Sequence, residues 1–210
     1  MNELAIRTIT GIALIAIALA AVFVGGYAFA LLAAGVATAV FYEWTRLTRG
    51  WGGGWYVGGL AYALAAALSL LWIRDRSDNG AALVLWVFII VWSTDIGAYF
   101  TGRTIGGPKL APAISPGKTW AGLYGGIAAA TVLGGAWAYF EGLYPVAFLL
   151  APLFSVASQG GDLFESWMKR RSGVKDSGRW LPGHGGVFDR VDGLLPVAIL
   201  TANALIAGML

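Results

Sequence analysis

The clearest structural signal in the sequence is the stretch Ala81–Phe100, AALVLWVFIIVWSTDIGAYF. Its residues are almost all apolar, and the exceptions gather around Ser93, Thr94 and Asp95 in its second half. A helix rises 1.5 Å per residue, so about 20 apolar residues cross the ~30 Å hydrocarbon core of a bilayer. We therefore predict that this stretch is a membrane-spanning helix.

Working outward from this stretch, six more segments have the length and apolar character of spans. They are Thr8–Val24, Ala28–Tyr42, Tyr56–Ile73, Trp120–Phe140, Leu143–Gln159 and Leu194–Leu210. We expect an all-α, polytopic integral membrane protein with about seven transmembrane helices. Residues 1–80 would form an N-terminal region of about three spans. Residues 81–210 would form the catalytic transmembrane region, with cytoplasmic loops at 101–119 and 169–193.

The composition supports a membrane protein and excludes several other classes. Hydrophobic residues make up 58% of the chain, charged residues only 12%, and the mean hydropathy is +0.72. Soluble domains carry about 25% charged residues, and a soluble chain of this size could not bury so much apolar surface. A soluble enzyme, a disordered chain and a free nucleic-acid binder are therefore excluded. With no cysteine and one histidine, a disulfide framework, a zinc–thiolate site and a multi-histidine metal centre are excluded as well.

The basic residues predict the orientation of the chain. With seven spans, twelve of the 14 Lys and Arg residues fall on the face that carries the N-terminus, and only Arg74 and Arg76 fall on the other. Cytoplasmic loops of membrane proteins are enriched in Lys and Arg. We therefore expect a cytoplasmic N-terminus and an active-site cavity that opens to the cytoplasmic face.

Two polar clusters lie near this face. Asp95 sits inside an apolar span, where an ionisable group is costly and marks a candidate functional site. The segment Ser115–Thr119 (SPGKT) offers hydroxyls, an ammonium group and backbone N–H groups before a helix, which is typical of phosphate binding. Two plainer alternatives remain open: a helix-end aspartate bonded to its neighbours, and an ordinary basic loop.

A third cluster, between Gly160 and Asp192, is the densest. Asp162, Glu165 and Ser166 are spaced i, i+3 and i+4, so they share one face if the helix continues past Gln159. Carboxylate oxygens suit Mg²⁺, and clustered Lys and Arg suit phosphate groups. The cluster therefore indicates metal-assisted chemistry on a nucleotide or phospholipid phosphate. A solvated, salt-bridged loop is the alternative.

The same region resembles a known family. The stretch Ser166–Asp192, SWMKRRSGVKDSGRWLPGHGGVFDRVD, is similar to the signature of phosphatidate cytidylyltransferases, also called CDP-diglyceride synthases. The segments Asp95–Arg103 (DIGAYFTGR) and Ile114–Trp120 (ISPGKTW) resemble the same family. The sequence departs from it at Ala121, where the family usually has Glu, so position 121 cannot supply a carboxylate here.

The resemblance implies a metal-dependent nucleotidyltransferase of phospholipid biosynthesis. Its reaction would be CTP plus phosphatidate to CDP-diacylglycerol plus diphosphate. It further implies Mg²⁺, with a second cation left open, phosphatidate drawn from the bilayer, no nucleic acid, and a homodimer. The expected location is the inner membrane, with several spans and a cytoplasmic active site. Two alternatives stay open: a cytidylyltransferase for another lipid phosphate, such as an archaeal ether lipid, and a membrane transporter.

The resemblance also implies roles for individual residues. The expected metal ligands are Asp162, Asp189 and Asp192. The expected catalytic residues are Asp162, Asp189, Lys169, His184 and Asp95. The expected substrate-binding residues are Ser115, Lys118, Ser166, Arg170, Lys175, Asp176 and Arg190.

Overall fold

The structure is a computed structural model that describes residues 3–76, 79–143 and 145–210, without the side chain of Glu3. Tyr144, which the sixth predicted span included, lies outside the described residues. The helices are α1 (Glu3–Val24), α2 (Gly26–Leu47), α3 (Gly53–Arg74), α4 (Gly80–Thr104), α5 (Trp120–Phe140), α6 (Val146–Arg171), α7 (Phe188–Val191) and α8 (Leu194–Ile206). Two short strands, β1 (Lys109–Ala111) and β2 (Ser115–Thr119), lie between α4 and α5.

Within the described ranges, six helices, α1 to α6, are long and apolar enough to cross a membrane. The prediction of a polytopic, mostly helical membrane protein is confirmed at this level. The seventh predicted span corresponds to α8, which has only 13 residues. At 1.5 Å per residue α8 is about 20 Å long, shorter than the hydrocarbon core. The count of seven spans is therefore not confirmed.

Helix α6 extends well beyond the predicted sixth span. The prediction ended at Gln159, where the run of apolar residues ends, whereas α6 continues to Arg171. The added turns are amphipathic: Met168 is fully buried, while the neighbouring Arg170 and Arg171 are exposed. Hydropathy identifies only the apolar part of a helix. Beyond that part, buried and exposed residues still follow the 3.6-residue period of a helix, so α6 stays helical.

The loop predicted at 101–119 contains a β-hairpin, so the expectation of a purely all-α chain needs correction. Strands β1 and β2 pair antiparallel, with Lys109 opposite Thr119 and Ala111 opposite Ser115. The Ile114 N–H donates to the Ala111 carbonyl and closes the turn. Thr119 then caps α5 by accepting a hydrogen bond from the Gly122 N–H at 3.0 Å. The hairpin fixes where Lys118 stands relative to the helices.

Glycines let α4 and α5 pack with their backbones in contact. A Cβ on Gly122 would lie 2.9 Å from the Ala98 carbonyl oxygen, and one on Gly126 would lie 2.8 Å from that of Thr94. Small residues at helix interfaces allow this close approach in membranes. The Thr94 hydroxyl also donates to Ser155 of α6 at 2.8 Å in the interior. The three helices therefore form a tight unit that supports the polar residues near their ends.

The polar residues gather at one end of the helix bundle, which we call the site end. It contains the hairpin, the C-terminal turns of α2 and α6, and α7. Ser172, after α6, donates to the Leu47 carbonyl at the end of α2 at 2.5 Å. At the opposite end, Arg74 donates to the Val22 carbonyl at 2.6 Å and joins α3 to α1.

Candidate active site

The last turns of α6 carry the site's central polar face. Because α6 continues as a helix, Asp162, Glu165, Ser166 and Lys169 occupy one face, as their spacing predicted. Ser166 is buried and donates to Asp162 Oδ1 at 3.2 Å. Glu165 is fully buried, which is rare for a carboxylate and requires compensating partners.

Lys169 joins α6 to α7. Its ammonium group lies 2.5 Å from Glu165 Oε2 and 2.6 Å from Asp189 Oδ1. All three side chains are largely removed from solvent, with 12%, 0% and 4% of the respective side chains exposed. Their ion pairs are therefore weakly screened, and removing the lysine would leave two buried carboxylates facing each other.

The second oxygen of Asp189 is held by the loop before α7. Asp189 Oδ2 accepts hydrogen bonds from the Ser177 N–H at 2.9 Å, the Ser177 hydroxyl at 3.0 Å and the Gly186 N–H at 2.8 Å. Burial by itself would raise the pKa of Asp189, but the hydrogen bonds from Lys169 and from Gly186 outweigh it and lower the pKa overall. Asp189 is therefore a fixed, ionised carboxylate.

Lys118 brings the hairpin to Asp162. Its ammonium group donates to Gln159 Oε1 at 2.8 Å and pairs with Asp162 Oδ2 at 2.8 Å. The Lys118 side chain is 16% exposed, and that of Asp162 is 33% exposed. This pair stands closer to solvent than the Lys169 pairs, so a phosphate could reach it from the site end.

Asp192 faces α6 one turn beyond Asp189. Burial raises the pKa of Asp192 to about 7, and the negative charge of Asp162 adds to the rise. The close approach depends on Gly161 of α6, because a Cβ at that position would collide with the Asp192 carbonyl oxygen. Asp162 and Asp192 are thus brought together, with a mutual repulsion that a cation would relieve.

The carboxylates of α6 and α7 have the chemistry of a magnesium site. One buried oxygen, Glu165 Oε1, has no hydrogen-bond partner in the described structure. An unpaired buried carboxylate oxygen beside Asp162, Asp189 and Asp192 fits a hard cation that prefers oxygen ligands. As the side chains of the described residues now stand, however, no group of three is disposed to hold a metal ion, because lysines bridge the carboxylates. The ligand set Asp162, Asp189 and Asp192 stays a prediction.

The remaining candidates lie around this centre. Asp95 of α4 interacts electrostatically with Asp162, Lys118 and Arg190. Arg170 is exposed and donates to the Ile114 carbonyl at 3.1 Å, which ties α6 to the hairpin turn. Four further predicted residues take the following positions. Ser115 begins β2, Lys175 and Asp176 are exposed in the loop before α7, and His184 lies against Gly11 of α1.

Glu43 of α2, which the sequence-based prediction did not include, anchors residues 172–187, which we call the α6–α7 loop. Glu43 is fully buried and accepts hydrogen bonds from the Ser177 hydroxyl at 2.7 Å, the Val187 N–H at 3.0 Å and the Phe188 N–H at 2.8 Å. A Cβ on Gly186 would collide with its carboxylate. The Ser177 hydroxyl also lies 3.0 Å from Asp189 Oδ2, so its one hydrogen is shared between the two carboxylates and couples Glu43 to Asp189.

A signal for Glu43 was present in the sequence. The predicted second span ended at Tyr42, which placed Glu43 one residue outside the membrane, whereas α2 continues to Leu47. Had the span been drawn to Leu47, the argument that drew attention to Asp95, an ionisable group inside a span, would have applied to Glu43 as well.

Comparison with known proteins identifies the family of the chain. The family model described as the cytidylyltransferase family matches residues 50–207. A phosphatidate cytidylyltransferase of Brucella suis is 42% identical over 250 aligned positions, covering 95% of this chain and 92% of the relative. Because the alignment is longer than the 210-residue chain, the relative carries segments that this chain lacks.

Two more relatives named phosphatidate cytidylyltransferase match shorter parts. The protein of Pseudomonas aeruginosa is 44% identical over 151 residues, covering 69% of this chain and 55% of the relative. The protein of Haemophilus influenzae is 49% identical over 123 residues, covering 55% and 43%. The resemblance seen in the sequence is confirmed, and the chain belongs to the cytidylyltransferase family, as a relative of the phosphatidate cytidylyltransferases.

Proposed function

We propose that the chain is an enzyme that transfers the cytidylyl group of CTP to phosphatidate, giving CDP-diacylglycerol and diphosphate. Membership of the family and the names of its relatives support this reaction. The observation that carries it is the alternating array of Lys118, Asp162, Lys169 and Asp189 at the end of a membrane helix bundle. This array can receive a water-soluble polyanion next to a phosphate that a membrane lipid carries.

The reaction joins two anions. An oxygen of the lipid phosphate forms a bond to the α-phosphorus of CTP, while the bond from that phosphorus to the bridging oxygen breaks. Diphosphate leaves with the bonding electron pair. The lipid phosphate is already ionised near neutral pH, so the site needs no strong general base. Positioning and neutralisation of charge must supply most of the rate enhancement, as in other phosphoryl transfers.

The lysines provide that neutralisation. Lys118 and Lys169 are held by carboxylates before substrate arrives, so their ammonium groups are already oriented. Lys118 stands at the more exposed edge and would meet the triphosphate there. Lys169 would remain between Glu165 and Asp189 and would hold these two side chains together. Arg170 and Ser115, beside the hairpin, would bind the outer phosphates.

We further propose that Asp162, Asp189 and Asp192, with Glu165 beside them, hold magnesium. The unpaired Glu165 Oε1 and the apposed Asp162 and Asp192 support this choice. Bound magnesium would neutralise phosphate charge and polarise the phosphorus–oxygen bonds. The protein's own part is to fix Asp189 through Ser177 and Gly186, and to keep water from the buried carboxylates.

The site end is proposed to face the cytoplasm, and the chain to lie in the inner membrane. The excess of basic residues at this end supports the orientation. The homodimer that the resemblance implies stays a prediction, which the mass of the detergent-solubilised protein would test. Seven spans also stay a prediction, which the side on which a C-terminal tag is accessible would test.

The test of the proposed function is product identification with purified protein in vesicles. CTP, magnesium and phosphatidate should yield CDP-diacylglycerol and an equal amount of diphosphate. Asp189→Asn should abolish product, whereas Asp75→Asn, which alters an exposed carboxylate at the opposite end, should not. Product from an ether-linked lipid phosphate but not from phosphatidate would overturn the assignment of the lipid, and no cytidylyl lipid at all would overturn the reaction.

A further inference from the structure

A partly open cavity lies beside the site, and most of its lining has no role in the chemistry described so far. Its volume is about 430 Å³, and it is bounded by α1, α2, α3, α4 and the segment from Leu181 to Leu195. Among the described residues that line it, only His184, Arg190 and the indole of Trp92 offer polar side-chain atoms. A cavity of this size, apolar with a few polar groups in one region, is typical of a small-molecule site.

The polar groups lie where the cavity meets the site end. Val187, Arg190, Val191 and Leu194 line the cavity and are spaced i, i+3, i+4 and i+7. This spacing marks one face of a helical path, and Asp192 and Gly193 keep right-handed helical dihedral angles between α7 and α8. The cavity-lining residues therefore form one continuous face.

The opposite face of the same path carries Asp189 and Asp192, which belong to the carboxylate cluster. This helical path therefore lies between the apolar cavity on one side and the carboxylate cluster on the other. Arg190 belongs to both the cavity and the carboxylate cluster, because it lines the cavity and also interacts electrostatically with Asp95. A ligand whose charged group reached Arg190 would stand next to the carboxylate cluster.

The apolar part of the cavity extends away from that turn into the bundle. On α1 it begins at Gly11, where a Cβ would lie 3.4 Å from His184 Nε2, and it continues to Ala18. Seven residues of helix correspond to a depth of about 10 Å. Farther from the site end its lining is apolar and includes Phe29 and Leu70.

The wall formed by α1 is thin and faces the bilayer. Of the six long helices, α1 is the least buried, and its side chains Ile9, Ile12 and Ile17 are more than half exposed. A chain from the surrounding bilayer therefore has only one loosely packed helix between itself and the cavity.

We infer that this cavity holds an acyl chain of the lipid substrate, with the lipid phosphate at Arg190 and His184. The inference rests on the proposed function and assigns the lipid to the α1 side of α7, leaving the Lys118 side to the nucleotide. Charge complementarity favours this occupant, since the Arg190 guanidinium and the His184 imidazole lie at one end and apolar side chains along the remainder. A nucleotide would find no partners for its base or sugar in the apolar part.

A matched pair of substitutions tests the inference. Ala33 of α2 is buried and lines the cavity, whereas the next residue, Ala34, is exposed. Ala33→Phe should raise the KM for dioleoyl phosphatidate roughly tenfold or more, since one methylene in an apolar site is worth about that factor. The KM for dioctanoyl phosphatidate should rise less, and the KM for CTP should not change. Ala34→Phe should leave all three constants unchanged.

Equal effects of the two substitutions, or a change in the KM for CTP alone, would overturn the inference. If Ala33→Phe does not fold, photolabelling of the unmodified protein decides the matter. Phosphatidate with a diazirine at the end of one acyl chain should label residues of α1, α2 and α3 that line the cavity. Labelling confined to other surfaces would refute the assignment. If the protein labels here but makes no cytidylyl lipid, the proposed reaction fails while the site remains.

Discussion

Replacing Glu43 by glutamine removes a hydrogen-bond acceptor from the buried anchor of the α6–α7 loop. The two oxygens of Glu43 accept three hydrogen bonds, two at Oε2 and one at Oε1. A glutamine can keep the two at Oε2 if its carbonyl oxygen takes that position. Its NH₂ group then faces the Val187 N–H, donor against donor.

The expected loss of stability follows from the one hydrogen bond that the glutamine cannot accept. A buried donor left without a partner costs about 1–3 kcal/mol. For a chain of this size, about 1 kcal/mol corresponds to a shift of roughly 2–4 °C in Tm. We therefore expect Glu43→Gln to lower Tm by several degrees. The loop that carries Ser177 and Gly186 should shift with respect to Asp189, and a misplacement of ~1 Å can lower the rate by as much as about 100-fold.

The assay is the rate of CDP-diacylglycerol formation, measured well below the Tm of the variant so that loss of fold does not contribute. A positioning role predicts a fall in kcat of ~10- to 100-fold with a KM for CTP that changes little. Asp75→Asn serves as the control, because it removes an exposed carboxylate at the opposite end. A Glu43→Gln protein with both the kcat and the Tm of the parent would refute the reasoning.

Three further predictions concern the same framework. Lys169→Met leaves two buried carboxylates unpaired and should cost about 3–5 kcal/mol of stability in thermal unfolding, so an unchanged Tm would contradict the ion-pair geometry. Asp192→Asn removes the repulsion with Asp162 and should raise Tm while lowering turnover; a fall in both would argue against that repulsion. Gly126→Leu should disrupt the α4–α5 contact, whereas Gly58→Leu, where an added Cβ meets nothing within 4 Å, should be tolerated; equal Tm values for the two variants would count against close packing.

The membrane helices could be predicted well because hydropathy depends on a simple physical requirement. A span must be apolar over its whole length, and α5 was predicted from Trp120 to Phe140, the bounds that the structure has. The same criterion fails where a helix leaves the apolar layer. It ended α6 at Gln159 and α2 at Tyr42, because polar residues beyond these points do not stop a helix that is amphipathic.

The sequence could not predict which residues of other helices and loops the site residues contact. The spacing of Asp162, Glu165 and Lys169 predicted a shared face, which the structure confirms. It could not predict that Lys169 bridges to Asp189, since that contact depends on how α7 packs against α6. The hairpin was missed for another reason: β1 has three residues, too few for an alternating pattern to be recognised.

We propose above all that Asp162, Asp189 and Asp192 gather a divalent cation, with the triphosphate at Lys118 and the lipid phosphate at Arg190. The most direct test of this proposal is the magnesium dependence of CDP-diacylglycerol formation in Asp162→Asn, compared with the parent protein. The account predicts a loss of at least about 100-fold, comparable to the loss of one key electrostatic contact in other enzymes, that higher magnesium concentrations restore only in part. Near-normal turnover with an unchanged magnesium requirement would contradict it.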